Sequence, residues 1–309
     1  MANVMPTQQG SIRLFRLAGI DVFLHWSWFL VALYEIESRR GEYGSVAWNA
    51  AEYLALFGIV TMHEFGHSLA CRSVGGRAER IVLWPLGGVA YVDPPQRPGA
   101  TLWSIVAGPL VNVALLPVLI GLVYFGRSAG WAESAPDLLK LVRAVAVTNA
   151  VVLVFNVLPV YPLDGGQILR SLLWFVLGKA RSLTAATVVG LGGVAALGVW
   201  ALLPPPSVWL GLMVAFLGVS CWKGFQHARA LSAVAKLPRR AGFACPSCRT
   251  APPIGAYWGC GACGATFDTF ETHATCPGCG ARYATTRCAD CLRQSPIDEW
   301  ARPEAVAPR

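Results

Sequence analysis

Two histidines and a glutamate stand together in the stretch TMHEFGHSLA, at positions His63, Glu64 and His67. On a helix, residues four positions apart lie on one face, one turn apart, so both imidazoles can bind the same zinc ion. The glutamate beside the first histidine can then accept the proton of a zinc-bound water molecule. The spacing therefore predicts a site for metal-assisted hydrolysis.

The residues that surround this motif are apolar, as in LALFGIVTMHEFGHSLA. Ionisable side chains are costly inside a membrane span, so three of them within five positions indicate a functional site. The alternative is a buried structural polar cluster, or a metal site without catalytic activity.

A catalytic zinc ion usually has three protein ligands, so one more is needed beside the two histidines. Asp164 is the only acidic residue between Asp137 and Asp268, and it lies in the stretch NVLPVYPLDGGQILR. Irregular backbone at membrane depth is tolerated only where protein or a water-filled cavity satisfies its polar groups. We expect Asp164 to complete the site; the alternative is a loop residue that caps the following helix.

Eight of the ten cysteines form four C-x-x-C pairs near the end of the chain. Two such pairs supply four thiolates for one tetrahedral structural zinc ion. We predict two zinc ribbons that pair neighbours along the chain, the first with Cys245, Cys248, Cys260 and Cys263, and the second with Cys276, Cys279, Cys288 and Cys291. A nested arrangement, the first pair with the fourth and the second with the third, is the alternative. Disulfides would require an oxidising compartment, whereas we expect this tail in the cytoplasm.

Three motifs in this order resemble the site-2 protease family of intramembrane zinc metalloproteases: HEFGH, then AGPLVN at 107–112, then NVLPVYPLDGG at 156–166. The stretch IVLWPLGGVAYVD is similar to the membrane-associated β-hairpin of this family, and GIDVFLHWSW resembles its prokaryotic branch with six spans and no PDZ domain. The resemblance covers about residues 10–225. The cysteine-rich tail departs from the usual layout of the family, in which paired CBS modules often follow the core.

The resemblance implies that His63, His67 and Asp164 ligate the catalytic zinc ion and that Glu64 is the catalytic base. It also implies that Asn156 lies near the active site, where it hydrogen-bonds the substrate or stabilises the transition state. The alternative for Asn156 is that its amide satisfies backbone groups freed by Pro159. Prokaryotic members of the family commonly act on anti-sigma factors, pro-sigma factors or remnant signal peptides, so the resemblance implies a single-span membrane substrate.

The elements that must position these residues are apolar segments of about the length that crosses a bilayer, roughly 20 residues. They are 20–36, 48–71, 102–125, 141–177 with a break at YPLDGG, 183–203 and 208–222. Residues 80–92 are too few and too interrupted, and their β-branched and aromatic composition predicts a hairpin. An exposed edge strand of this hairpin, at residues 81–84, could capture an extended substrate by strand addition. The alternative is that the hairpin is a simple lid at the membrane surface.

We therefore predict a polytopic α-helical membrane protein. It has six transmembrane helices, one of them broken, with a membrane-associated β-hairpin and small C-terminal zinc ribbons. Most basic residues of the core fall on one side if the N-terminus is cytoplasmic. By the positive-inside rule, both termini are then cytoplasmic, and we expect the chain in a prokaryotic cytoplasmic membrane.

The composition agrees with two units of different kinds. Hydrophobic residues make up 55% of the 309 residues and charged residues 14%, with a mean hydropathy of +0.49, whereas a typical soluble domain is roughly 25% charged. An ordinary soluble globule is therefore excluded for most of the chain. The net charge of +8 is spread over both parts without a dense basic block, so we do not expect nucleic acid as a partner.

The predicted domains follow these shifts in composition. They are a cytoplasmic N-terminal segment (1–18), the intramembrane metalloprotease core (19–225), a linker (226–242), zinc ribbon 1 (243–268), zinc ribbon 2 (269–295) and a flexible tail (296–309). Phe243, Tyr257, Trp258, Phe267 and Tyr283 would form the small apolar centres of the ribbons.

The sequence thus predicts a zinc-dependent intramembrane endopeptidase that cleaves a single-span membrane protein in or near its transmembrane segment, as in regulated intramembrane proteolysis. It would carry one catalytic and two structural zinc ions. Its partners would be the substrate, the lipid bilayer and a cytosolic regulator or substrate docked on the ribbons. The alternative is a non-catalytic membrane adaptor that recruits a cytosolic partner through the tail. A metalloprotease of the prenyl-protein or heat-shock type is disfavoured by the LDGG motif, because those enzymes use a glutamate as the third ligand.

Overall fold

The computed structural model describes residues 10–39, 41–84, 87–203 and 208–301. Residues 1–9 of the predicted N-terminal segment, residues 85 and 86 of the predicted hairpin, and residues 302–309 of the predicted flexible tail lie outside this part of the chain. The described residues fall into two compact units. The first runs to Phe225, and the second comprises Lys179–Arg181 and the chain from Gln226 onward.

The helices of the described chain lie mostly in the first unit. Their bounds are α1 (Ser27–Ser38), α2 (Val46–Ser73), α3 (Pro98–Ser128), α4 (Trp131–Ser134), α5 (Pro136–Val157), α6 (Asp164–Leu202) and α7 (Val208–Ala235).

A four-stranded sheet accompanies these helices. Its strands, in spatial order, are β1 (Ser11–Leu17), β2 (Ile20–His25), β3 (Arg77–Trp84) and β4 (Gly87–Asp93). Strands β1 and β2 pair antiparallel, β2 and β3 parallel, and β3 and β4 antiparallel. The predicted hairpin is thus part of a larger sheet. Its strand β3 is paired on both sides, so the expectation of an edge at residues 81–84 is wrong, and the free edge beside it is β4.

The sheet packs against α2 through side chains that recur with the period of a strand. Ile20 and Val22 of β2, together with Ile81 and Leu83 of β3, are fully buried (0% exposed) in a cluster that includes Trp28 and Val60. Alternate residues of a strand point to one face, so this spacing gives the sheet an apolar face toward the helix. The contact places β3 and β4 beside the helix that carries the HEFGH motif.

Among the described residues, three helices are long and apolar enough to cross a membrane, namely α3, α5 and α6. In their most apolar stretches only 22%, 22% and 17% of the residues are buried within the protein. Exposed apolar faces of this extent fit contact with lipid. The prediction of six spans is not confirmed.

The first predicted span, residues 20–36, is not one helix. Its first part is strand β2, and the helix α1 that follows has 12 residues. Such a helix is about 18 Å long, shorter than the roughly 30 Å hydrocarbon core of a bilayer. A short apolar run suits a buried strand as well as a helix, and here pairing with β1 and β3 selects the strand.

The predicted break in the fourth segment is present. Helix α5 ends at Val157 and α6 begins at Asp164, and Gly178 interrupts α6 with a φ of 77° and a ψ of 170°. A positive φ favours glycine because other residues would bring their Cβ against the backbone. The interruption falls between the predicted segments that end at 177 and begin at 183.

The second unit contains two small antiparallel sheets. Strand β5 (Trp258–Gly259) pairs with β6 (Thr266–Phe267), and β7 (Thr286–Arg287) pairs with β8 (Gln294–Ser295). Helix α7 extends to Ala235, so the first part of the predicted linker is helical.

The prediction of a flexible tail is wrong for its described part. Residues Ile297–Trp300 form a 3₁₀ turn, and Trp300 is buried with Phe270, Cys245 and Cys288. A buried tryptophan supplies a large apolar volume to a unit that is otherwise too small for a core of its own. Of the aromatic residues predicted for such centres, Tyr257 is instead 51% exposed.

Candidate metal centres

Helix α2 carries His63, Glu64 and His67 on its buried side, and these residues are 4%, 5% and 7% exposed. The one-turn separation brings the two imidazoles together, and their Nε2 atoms lie 3.1 Å apart. The predicted helical placement of the motif is therefore what the structure shows.

Asp164 reaches the same place from the start of α6, directly after the break that separates it from α5. Two glycines allow the chain to fold back so tightly. A Cβ at Gly165 would lie 2.1 Å from the carbonyl oxygen of Val157, and one at Gly166 would lie 2.5 Å from the backbone nitrogen of Tyr161. The DGG sequence is thus a steric requirement of the turn that delivers the carboxylate.

Three atoms of these side chains form a compact triangle. Asp164 Oδ2 lies 3.0 Å from His63 Nε2 and 3.2 Å from His67 Nε2, which closes the triangle with the 3.1 Å separation of the two nitrogens. Ligands of a tetrahedral zinc ion with bonds of about 2.0–2.2 Å lie about 3.3–3.6 Å apart. The triangle therefore has the dimensions of three corners of a zinc site.

The ring protons of both histidines lie on the nitrogens that face away from the triangle, where they form hydrogen bonds. His63 Nδ1 donates to Asn112 Oδ1 at 2.7 Å, and His67 Nδ1 donates to the backbone carbonyl of Ser104 at 2.9 Å. Both Nε2 atoms then present lone pairs, and Asp164 Oδ2 is buried among them without a hydrogen-bond donor in the described part of the protein. Three converging lone pairs fit a cation.

Gly108 of α3 lines the space in front of these atoms. A Cβ on this residue would lie 2.2 Å from His67 Nε2 and 2.9 Å from His63 Nε2. The bare backbone therefore leaves open the volume that a metal ion bound to both nitrogens needs. Two residues of the AGPLVN motif thus lie at the site itself, because Asn112 hydrogen-bonds His63 and Gly108 lies against both histidines.

The Glu64 carboxylate is held by the sheet. Its Oε2 accepts a hydrogen bond from the backbone N–H of Ala90 in β4 at 2.8 Å. The neighbouring contact is tight, because a Cβ at Gly88 would lie 2.5 Å from Glu64 Oε1. Strand β4 thus fixes the position of the acidic side chain beside the triangle.

The proximity predicted for Asn156 has no contact to support it. The residue is half-buried near the end of α5, and within the described ranges no hydrogen bond joins its side chain to His63, Glu64, His67 or Asp164. Its role stays a prediction.

Sequence reasoning missed Asn149 and the carbonyl of Ser104. Asn112 Nδ2 donates to Asn149 Oδ1 at 2.8 Å, and Asn149 Nδ2 donates to the backbone carbonyl of Asn112 at 3.0 Å. The available signal for Asn149 was a polar amide inside the apolar run VAVTNAVVLVF, where polar side chains generally have partners in the protein. A backbone carbonyl such as that of Ser104 leaves no signal in a sequence.

The eight tail cysteines form two groups, and their pairing corrects the prediction. Cys245 and Cys248 stand with Cys288 and Cys291, while Cys260 and Cys263 stand with Cys276 and Cys279. This is the nested arrangement, in which the inner pairs lie within the loop closed by the outer ones. The predicted division at 268/269 would separate the members of both groups.

Both groups have the dimensions of a four-thiolate zinc site. Sulfur–sulfur distances are 3.6 Å for Cys245–Cys291, 3.7 Å for Cys248–Cys288, and 3.6 Å for Cys260–Cys279 and for Cys263–Cys276. Ligands at the usual Zn–S bond of about 2.3 Å are about 3.8 Å apart in a tetrahedron. The predicted pairing of the first C-x-x-C turn with the second and of the third with the fourth is therefore wrong, because the second turn faces the third and the first faces the fourth.

Polar contacts in the second unit favour the ionised form of one thiol, that of Cys260, and fix the path of the chain. The Tyr283 hydroxyl donates to Cys260 Sγ at 3.0 Å and lowers the pKa of that thiol to about 5. Arg239 makes a two-pronged ion pair with Asp290, with Nη1–Oδ2 and Nη2–Oδ1 distances of 2.7 and 3.1 Å. Burial alone would raise the pKa of Asp268, but hydrogen bonds from the Gly255 N–H and from Arg240 lower it on balance.

Comparison with known proteins adds independent information about this arrangement. The sequence profile of peptidase family M50 matches residues 51–133 and 128–199, a range that contains the HEFGH and LDGG motifs. The zinc metalloprotease MJ0392 of Methanocaldococcus jannaschii is 34% identical over 182 residues, which are 58% of this chain and 50% of that relative. The putative zinc metalloprotease sll0528 of Synechocystis is 29% identical over 225 residues, 67% of this chain and 58% of that protein. The chain thus spans about half the length of the curated relatives it matches.

The fold is similar to that of a solved structure, the site-2 protease from Methanocaldococcus jannaschii. The TM-score is 0.50 at 29% identity, and the match covers 70% of this chain and 95% of that chain. The matched range, the similar fold and the converging histidines and aspartate agree with one another. The chain belongs to peptidase family M50, the site-2 protease family.

Proposed function

We propose that this protein is a zinc-dependent intramembrane endopeptidase. The observation that carries the proposal is the triangle of His63 Nε2, His67 Nε2 and Asp164 Oδ2, with sides of 3.0–3.2 Å, next to the buried carboxylate of Glu64. Three protein ligands with a further open position are the usual arrangement of a catalytic zinc site, whereas structural zinc sites have four protein ligands.

Each residue of the site has a distinct role in the proposed reaction. His63, His67 and Asp164 would hold zinc, a Lewis acid that would activate water and polarise the scissile carbonyl. Glu64 takes the proton of the attacking water and returns it to the leaving amine. Asn156, near the end of α5, is proposed to hydrogen-bond the substrate.

The proposed substrate is a single-span membrane protein, cut in or near its transmembrane segment. A transmembrane helix hides its peptide bonds in hydrogen bonds, so the substrate must unwind locally before it is cut. Strand β4 offers a place for the unwound chain, because it is a free edge and its Ala90 N–H points away from β3, toward Glu64. In an antiparallel strand every second residue directs its backbone N–H and C=O groups to the same edge, so the backbone groups of Gly88 also point away from β3.

The tail is proposed to hold two structural zinc ions and to dock a cytosolic regulator or the substrate. Two four-cysteine groups of tetrahedral dimensions support the ions. Both termini are proposed to be cytoplasmic, in a prokaryotic cytoplasmic membrane, and the distribution of basic residues supports this orientation. The same distribution supports the proposal of six spans less directly.

The proposal is tested by co-expressing the protein, or its Glu64→Gln variant, with tagged single-span membrane proteins. We expect shortened products with the parent and none with Glu64→Gln, which keeps the size and position of the side chain but cannot accept a proton as a carboxylate does. Identical products with both would remove the proposed role of Glu64 and leave the non-catalytic adaptor as the better description.

A further inference from the structure

We propose that Asn149 of α5 is a positioning residue that determines which nitrogen of His63 faces the metal, acting through Asn112 of α3. The inference rests on the proposed zinc site and concerns how the protein keeps that site ready to bind. A histidine ligates zinc with a ring nitrogen that carries no proton, and the hydrogen bond made by the other nitrogen decides which one that is.

The direction of each hydrogen bond in this network can be deduced from the backbone carbonyl of Asn112, because a carbonyl oxygen can only accept. Asn149 Nδ2 donates to it at 3.0 Å, so the amide oxygen of Asn149 is turned toward the Asn112 side chain. That oxygen can only accept, and Asn112 Nδ2 donates to it at 2.8 Å.

The orientation of Asn112 then settles the state of His63. With its nitrogen held by Asn149, Asn112 directs Oδ1 at the imidazole and accepts from Nδ1 at 2.7 Å. The proton therefore resides on Nδ1, and Nε2 keeps the lone pair that points at Asp164 and His67.

A comparison with His67 shows why the tautomer of His63 depends on a further residue. The partner of His67 Nδ1 is the backbone carbonyl of Ser104, which has no donor end and fixes the tautomer by itself. The partner of His63 is an amide whose oxygen and nitrogen ends have nearly the same size. Rotated by 180°, Asn112 would offer its NH₂ group to Nδ1, and Nε2 would carry the proton in place of a metal bond.

Burial makes the amide partner decisive. Asn112 and Asn149 are both 0% exposed, so bulk water does not compete for their polar atoms. A buried donor or acceptor without a partner costs about 1–3 kcal/mol, which is enough to select one orientation of an amide. Removing Asn149 takes away the acceptor that holds the Asn112 nitrogen in place.

The matching experiment uses Asn149→Leu, the double variant Asn112→Asp with Asn149→Leu, and Val151→Leu as a control. Val151 lies on the same helix and is 60% exposed, so the control adds the same side chain without touching the network. The aspartate of the double variant has no donor end, so it can only accept from His63 Nδ1 and does not depend on Asn149.

Zinc affinity is measured on the full-length protein in detergent, by competition with a chelator weak enough to leave the cysteine sites loaded. His67→Ala supplies the baseline without the proposed catalytic ion. We expect Asn149→Leu to bind this ion about 10- to 100-fold more weakly than the parent, the usual effect of losing an outer hydrogen bond to a metal ligand. We expect the double variant to regain parental affinity and Val151→Leu to keep it.

A second readout observes the tautomer itself. Nitrogen spectra of the metal-depleted protein with ¹⁵N-labelled histidine should show His63 protonated on Nδ1 in the parent and in the double variant, and on Nε2 in Asn149→Leu. Parental affinity in Asn149→Leu, or no recovery in the double variant, would overturn the role of Asn149 while the zinc of the parent still supports the proposed function. If the parent binds no more zinc than His67→Ala, the proposed function fails as well.

Discussion

At the scale of single residues, hydrogen bonds and burial determine which atoms of the candidate catalytic centre are available to a cation. Outer hydrogen bonds occupy Nδ1 of both histidines, and Asp164 Oδ2 is buried among the remaining lone pairs. Gly108 leaves the adjoining space free because it has no side chain. The site is thereby organised for a cation before one arrives.

Gly108→Ala tests the space that this organisation leaves. The added Cβ would lie 2.2 Å from His67 Nε2, so we expect the variant to lose the catalytic ion and to contain one zinc ion fewer than the parent by elemental analysis. Gly121→Ala is the matched control, because a Cβ at Gly121 in the same helix α3 meets nothing within 4 Å. Equal zinc content in all three proteins would contradict the position assigned to the metal.

The site residues that could be predicted from the sequence differ from those that were missed in how far apart they lie along the chain and in how unusual they are in their surroundings. His63, Glu64 and His67 are close in sequence and on one helix face, so their spacing alone brings them together. Asp164 was identifiable because acidic residues are rare in this apolar region. Asn112 and Asn149 are 37 residues apart and meet only when α3 packs on α5, a contact that neither composition nor periodicity specifies.

At the scale of elements, strand β4 connects the sheet to the chemistry. It is the free edge of the sheet, and its Ala90 N–H holds the Glu64 carboxylate. The tight approach requires glycine at position 88. One strand therefore both positions the proposed base and offers backbone groups to an extended substrate.

Gly88→Ala tests the contact between β4 and the base. The Cβ would lie 2.5 Å from Glu64 Oε1 and displace the carboxylate, so we expect cleavage to fall by at least about 10²-fold, the usual contribution of a general base, with zinc content unchanged. Val89→Ala is the control, because neighbouring residues of a strand point to opposite faces. Parental cleavage by Gly88→Ala would contradict the role of this strand.

Elements whose identity depends on distant partners were the ones predicted wrongly. Residues 20–25 are apolar enough for a membrane helix, yet they form β2 because β1 and β3 pair with them on either side. The break before Asp164 was predictable, since prolines and glycines disfavour helix wherever they lie. Local conformational preferences thus predicted where the helices are interrupted. Pairing with distant strands determined whether an apolar segment forms a strand or a helix.

The 3₁₀ turn at Ile297–Trp300 is a second element whose role depends on a distant contact. Trp300 is 1% exposed and packs with Phe270, so Trp300→Ala should lower the free energy of unfolding of the second unit by about 3–5 kcal/mol. Zinc release from the full-length protein during urea titration measures this change. Tyr257→Ala is the control, because its side chain is 51% exposed. Equal midpoints for the two variants would contradict the buried role of Trp300.

At the scale of the whole molecule, the described chain contains candidate metal sites of two kinds. The first unit has a three-ligand site with buried histidines and a carboxylate, and the second has two four-cysteine groups. Four C-x-x-C pairs revealed the presence of the second kind, but spacing alone does not determine which pairs combine, as with the connectivity of disulfides. The nested grouping closes a long loop and brings residues near 245 and 291 together.

Double substitutions separate the nested from the consecutive grouping. Cys245→Ser with Cys291→Ser disrupts one nested site, so we expect the loss of one zinc ion. Cys245→Ser with Cys260→Ser disrupts both nested sites, and we expect the loss of two, because the metal provides much of the folding free energy of such small units. Elemental analysis of the purified proteins gives the counts. The reverse result, two ions lost in the first case and one in the second, would show consecutive pairing.

We propose above all that the His63–His67–Asp164 site binds the zinc ion on which proteolysis by this chain depends. The most direct measurement is a zinc titration of protein depleted of that ion by a weak chelator, reconstituted in liposomes with a single-span reporter substrate. We expect cleavage to rise in step with occupancy of the site, and Glu64→Gln to bind the same zinc without cleaving. Cleavage by the depleted protein, or equal cleavage by Glu64→Gln, would contradict the account.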